Sequence, residues 1–219
     1  MAKVRSRILQ ASSLHPKIET TIETESDRNT SCHLDVIYVL PPSIFVDPYQ
    51  LKNLPSLGKV TVFGEHDLEL PLEKIKEIRG SIVFLRQPVD TTFPLSLELP
   101  FHLRYQQPSL EKTSQPIIIQ PPFAGWTCHS EHEAPWPPLA DRYTLVPSLP
   151  FRATFTQLSH EDSPLTLSVP VGKMKDAFLV TTGSFCAVAL CTLWIARSIF
   201  ISIEKRKKTD AKGKRRKSE

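Results

Sequence analysis

Glycine is scarce in this chain of 219 residues, with seven against 20 prolines. So little glycine argues against a doubly wound α/β enzyme, whose phosphate turns need it. The proline excess argues equally against a helical bundle. GxGxxG, P-loop, GxSxG and HExxH motifs are all missing, as is any Asp-x-Asp pair that would hold a metal and a sugar nucleotide. Long apolar runs are missing too until residue 177. The opening stretch MAKVRSRILQASSL has a basic start but no apolar segment of the about 7–15 residues a signal peptide needs. Either the chain begins short of its true N-terminus, or its body is translocated without a cleaved signal.

What is present is concentrated at the C-terminal end. Ala177–Ala196 holds twenty residues without a charge, and Ile199, Phe200, Ile201 and Ile203 extend the run past Arg197. About 20 helical residues cross the roughly 30 Å hydrocarbon layer, so 177–203 is expected to be a single transmembrane helix. Arg197 near one end is placed to snorkel. Residues 204–219 carry nine basic and three acidic side chains, leaving the remainder, apart from Arg197, slightly acidic. The basic pI therefore belongs to the tail and indicates no nucleic-acid-binding body. Basic flanks stay cytosolic, which predicts a cytosolic tail and a lumenal or extracellular body. A cytosolic body with a lumenal tail is the rival arrangement.

Residues 1–31 are polar and are read as a flexible segment, followed by a β-rich body over 32–172. β-Branched or alternating runs predict strands at 33–40, 59–63, 81–85, 96–105, 117–120, 142–146, 153–158 and 165–169, punctuated by prolines. The fold class expected is mainly β, an antiparallel sandwich or irregular barrel, with one C-terminal transmembrane helix. Asp47-Pro48-Tyr49 reads as an N-cap followed by proline at the first helical position, and Pro71–Gly80 as another short helical turn.

Candidate chemistry is thin. Cys128-His129-Ser130-Glu131-His132-Glu133 contains zinc-ligating residue types, but its proline-flanked setting favours a solvated turn. Glu65-His66-Asp67 likewise reads as a turn. His102 and Arg104 fall opposite the apolar face of the 96–105 alternation, as exposed positions. Asn29-Thr30-Ser31 is a glycosylation sequon. Cys32 and Cys128 are the only cysteines outside the apolar run, and form either a disulfide in an oxidising compartment or two unpaired thiols. Gly183, Ala187 and Cys191 recur every four residues along the span, where small side chains let a second helix approach.

Several blocks, in order, resemble the PIG-X family, regulatory subunits of glycosylphosphatidylinositol (GPI) mannosyltransferase I. They are Cys32-His33-Leu34, Phe45-Val46-Asp47-Pro48-Tyr49-Gln50-Leu51, Leu99–Pro108, Trp126 with His129-Ser130-Glu131, and Val169-Pro170-Val171-Gly172 just before the span. The match departs from the family pattern at Cys128, which follows Trp126 where the family's cysteine precedes the tryptophan. The resemblance implies a single-pass endoplasmic reticulum protein with a lumenal body, no catalytic residues and no cofactor. Its partner would be PIG-M, the polytopic catalytic subunit that adds the first mannose to the GPI precursor. The partner contacts expected are Asp47, Pro48, Tyr49, His102, Arg104, Tyr105, Trp126, His129, and the span's Gly183, Ala187 and Cys191. The competing reading is a lumenal chaperone-like or receptor module.

Overall fold

A computed structural model describes residues 2–13, 15–24, 32–64, 67–68, 70–75, 80–129, 153–159 and 163–216. They form two compact units, Met1–Gly172 and Lys173–Glu219.

The first unit is antiparallel β. Strands β1 (Lys3–Leu9), β2 (Lys17–Glu23) and β7 (Leu95–Pro100) make a three-stranded sheet in the order β1-β2-β7. The expectation of a flexible segment over 1–31 is thereby corrected for β1 and β2. Their polar look comes from one face only, because Ile18, Thr20 and Ile22 alternate inward while Lys17, Glu19, Thr21 and Glu23 do not. On that outward face Arg7 pairs with Glu19, and Lys17 Nζ lies 2.8 Å from Glu98 of β7.

A five-stranded sheet follows the order β11-β10-β3-β6-β5, from β11 (Ala153–Gln157), β10 (Phe123–His129), β3 (Cys32–Leu40), β6 (Ser81–Arg86) and β5 (Lys59–Gly64). β3 is central and almost continuously buried, as its run of Leu, Val, Ile and Tyr requires when both faces are covered. Gly80 precedes β6 at φ +81, and a Cβ there would strike the Leu40 carbonyl, so no other residue fits without strain. Strands β9 (Ser114–Ile119) and β12 (Leu165–Pro170) pair separately, as do the short β4 (Ile44–Phe45) and β8 (His102–Leu103).

One apolar core joins these sheets, with Val4, Ile18, Ile22, Leu97 and Leu99 from the first meeting Leu34, Val36, Tyr38, Val83 and Leu85 from the second. Within it the Tyr38 hydroxyl donates to Thr20 Oγ1 at 2.8 Å, so the buried phenol of one sheet is satisfied by the other. Burial raises the Tyr38 pKa above its ordinary value, against the lowering influence of that bond. On the outer face of the five-stranded sheet, Arg86 makes a bidentate pair with the fully buried carboxylate of Asp35 (2.8 Å for each bond).

The long strand expected over 96–105 is two strands. β7 stops at Pro100, opposite Lys17; Phe101 N still donates to Pro16 O at 3.1 Å, but Pro16 has no N–H to return the bond, and the chain crosses to pair with β4. Of the helical expectations, Asp47 caps α1 (Pro48–Lys52), while 71–80 yields only a 3-10 turn, Leu72–Lys74, within its described part. The strand expected at 142–146 lies outside the described residues.

In the second unit a 3-10 turn (Met174–Asp176) leads into α2, Ala177–Arg216, a continuous helix of 40 residues. It is the one helix among the described residues long and apolar enough to cross a membrane, and none of its most apolar window is buried inside the protein. Side chains such as Phe178, Leu179, Val180 and Phe185 therefore lack a protein core to enter.

Candidate functional site

The short β4/β8 ladder brings two separated sequence blocks together, pairing Ile44 with Leu103 and Phe45 with His102. Asp47 follows at once as the N-cap of α1, its carboxylate accepting from Tyr49 N at 2.8 Å. Pro48 takes the first helical position, where its missing N–H costs nothing. The cap fixes the direction of α1, burying Leu51 and leaving Tyr49 outside at 76% exposure.

His102 stacks on Phe45 (ring centres 5.1 Å apart, 18° between planes) and meets His15 edge-on at 5.3 Å. Its Nε2–H donates to Gln50 Oε1 at 3.0 Å, which fixes that tautomer and ties α1 to β8. Partial burial, and then the neighbouring His15, lower the His102 pKa below the ordinary imidazole value, with Asp47 pulling the other way.

Arg104 is buried, correcting its expected exposure. Phe101 keeps the inward phase of Leu97 and Leu99, and the alternation shifts after it, so Arg104 also points inward while Tyr105 is 87% exposed. The Arg104 guanidinium lies 4.7 Å from the Phe45 ring centre and donates to the carbonyls of Asp67 and Leu70, the latter at 2.8 Å. Backbone bonds from Arg104 N to Ser43 O (2.9 Å) and from Leu72 N to Tyr105 O (3.3 Å) complete the anchoring. Arg104 thus positions a surface and does not itself form one. Tyr105, just past β8, and Tyr49, on α1, are each exposed, and the antiparallel register carries them toward opposite ends of the ladder, with His102 partly buried.

The other expected residues lie elsewhere. Trp126 sits on β10, half buried against the core and edge-on to Phe93 at 6.1 Å. His129 ends the same strand, pairing with Ala153, so the solvated turn expected over 128–133 is strand at Cys128 and His129, while 130–133 lie outside the described residues. Asn29 lies outside them too. Cys32 and Cys128 face each other across β3 and β10 and are joined in a disulfide, 96 residues apart in sequence. Gly183, Ala187 and Cys191 lie on α2; no protein atom comes within 4 Å of a Cβ built on Gly183, and Cys191 is an exposed free thiol. Among the described residues no three His, Cys, Asp or Glu side chains gather as metal ligands. Sequence reasoning missed His15, Gln50 and the carbonyls of Asp67 and Leu70 as neighbours of His102 and Arg104. No local pattern signals them, because each contact depends on the β4/β8 pairing.

A family model described as PIG-X / PBN1 matches residues 11–200, taking in both this site and the span. The chain belongs to the PIG-X / PBN1 family. Among its PIG-X / PBN1 relatives, Protein PBN1 of Yarrowia lipolytica is 32% identical over 146 residues, 55% of this chain and 27% of the relative. Protein PBN1 of Gibberella zeae is 33% identical over 138 residues, 58% of this chain and 27% of the relative. The Mus musculus protein named "GPI alpha-1,4-mannosyltransferase I, stabilizing subunit" is 23% identical over 184 residues, 78% of this chain and 69% of that one. The chain spans about a quarter of the length of the first two relatives. No solved structure matches.

Proposed function

We propose that the protein is a non-catalytic subunit of GPI mannosyltransferase I that stabilises the polytopic catalytic subunit, PIG-M, which adds the first mannose to the GPI precursor. The observation that carries this reading is the PIG-X / PBN1 match running through body and span, with a relative named for the stabilising role. A transferase acting on a lipid-linked sugar donor and a lipid acceptor needs several spans to admit both, and α2 is a single candidate span. A β-rich body with Tyr49 and Tyr105 exposed and an uncovered helix is suited to docking. In this reading the endoplasmic reticulum membrane holds α2, the body is lumenal, the basic tail is cytosolic, and Asn29 is glycosylated. The Cys32–Cys128 disulfide suits an oxidising lumen.

The test is affinity purification of the tagged full chain from mild-detergent membranes, with its partners identified by mass spectrometry. One dominant polytopic mannosyltransferase is the expected result. Many unrelated lumenal clients without that enzyme would overturn the reading.

A further inference from the structure

From the C-terminal end of α2 we infer a binding site for anionic phospholipid headgroups, formed by a groove on one helix face that ends at Arg206, within the basic turn Lys205–Lys208. This rests on the geometry and charge of α2 and is independent of the subunit reading.

The apolar run Ala177–Ile203 would measure about 40 Å as a helix, roughly 10 Å more than the hydrocarbon layer. Its one charge, Arg197, divides it. The twenty uncharged residues of Ala177–Ala196 alone match the hydrocarbon thickness, which puts the membrane boundary at Arg197. The helix does not stop there but continues unbroken to Arg216. Past the boundary its character becomes mixed, with Ile199, Phe200, Ile201 and Ile203 among Ser198, Ser202, Lys205 and Arg206.

A groove on this stretch is lined by Trp194, Ser198, Ser202 and Arg206, spaced four residues apart, with Ile195 and Ile199 as walls. Trp194 is 74% exposed, with its indole at the depth where tryptophan anchors at the membrane–water interface. Above it come two hydroxyls and then a guanidinium, whose planar fork fits a phosphate. Lys205, Lys207 and Lys208 adjoin Arg206 in sequence and add their charge around the same turn of helix, with Glu204 the one acid beside them. Lys208 is eleven residues beyond Arg197, about 16 Å along the helix, within the headgroup layer plus one screening length. Charge complementarity thus selects an acidic headgroup over a zwitterionic one, by up to about fivefold per basic residue at the surface.

The test reconstitutes the full chain in phosphatidylcholine vesicles containing a trace of spin-labelled phosphatidylserine or spin-labelled phosphatidylcholine. Electron spin resonance reads the fraction of each label held at the protein. The native chain is expected to hold the serine lipid several-fold more strongly, with the preference weakening as salt is added. Replacing Lys205, Arg206, Lys207 and Lys208 by Gln should bring the two lipids close to parity. Equal retention by the native chain would overturn the inference, as would a preference that survives the Gln substitutions. Displacement of the label by soluble inositol hexakisphosphate would mark a general anion site and would overturn the assignment to the bilayer.

Discussion

The Arg104 guanidinium lies 4.7 Å from the centre of the Phe45 ring and at the same time donates to two carbonyls, those of Asp67 and Leu70. One buried side chain therefore ties the β4/β8 ladder to the carbonyls of Asp67 and Leu70. Removing it would take the donor from both carbonyls and the cation from the ring.

Arg104→Ala is accordingly expected to cost roughly 2–4 kcal/mol, and Arg104→Lys nearly as much, since an ammonium lacks the planar fork. Thermal unfolding of the purified chain measures this. Under the subunit reading, less catalytic partner would also be recovered with the Arg104→Ala chain. An unchanged midpoint would show that Arg104 positions nothing.

Tyr49 and Tyr105 are predicted to behave in the opposite way. Both are exposed, so Tyr49→Ala combined with Tyr105→Ala should shift stability by no more than about 0.5 kcal/mol per site. Co-purification with the catalytic partner should nevertheless fall. Full recovery of partner with the double variant would remove both tyrosines from the interface.

Lowering the His102 pKa in the folded state means that the unfolded chain binds the proton more readily. The His102 contribution to stability is therefore complete above the ordinary imidazole pKa of about 6.5 and declines as pH falls through it. Denaturant unfolding at a series of pH values should show this decline, reduced in His102→Gln.

The Cys32–Cys128 bridge closes a long loop across the paired strands β3 and β10. Replacing both cysteines by serine should cost roughly 2–4 kcal/mol. Non-reducing and reducing electrophoresis of the native chain should differ in mobility; identical mobility would mean that no bridge forms.

Much of the body was legible where the pattern was strong. The runs at 33–40, 59–63, 81–85 and 165–169 coincide with β3, β5, β6 and β12 because continuous β-branched burial or clean alternation admits few other readings. β1 and β2 were missed because Lys, Arg, Glu and Thr outnumber their inward residues, and Thr20 occupies a core position through its bond from Tyr38. β10 was missed because Phe123–His129 shows no clean apolar alternation; its Gly125 admits the Phe155 ring, 2.6 Å from where a Cβ would stand. Arg104 was misplaced by a change of phase after Phe101 that strict alternation cannot register. Asp47-Pro48 gave α1 because both residues act locally. The neighbours of His102 come from distant parts of the chain, and only the fold assembles them.

The central claim, that this chain stabilises a mannosyltransferase, is tested most directly by the amount of PIG-M polypeptide in cells depleted of the chain. The account predicts that PIG-M falls severalfold and is restored by the native chain, but poorly by the Tyr49→Ala, Tyr105→Ala double variant. Undiminished PIG-M after depletion would contradict it.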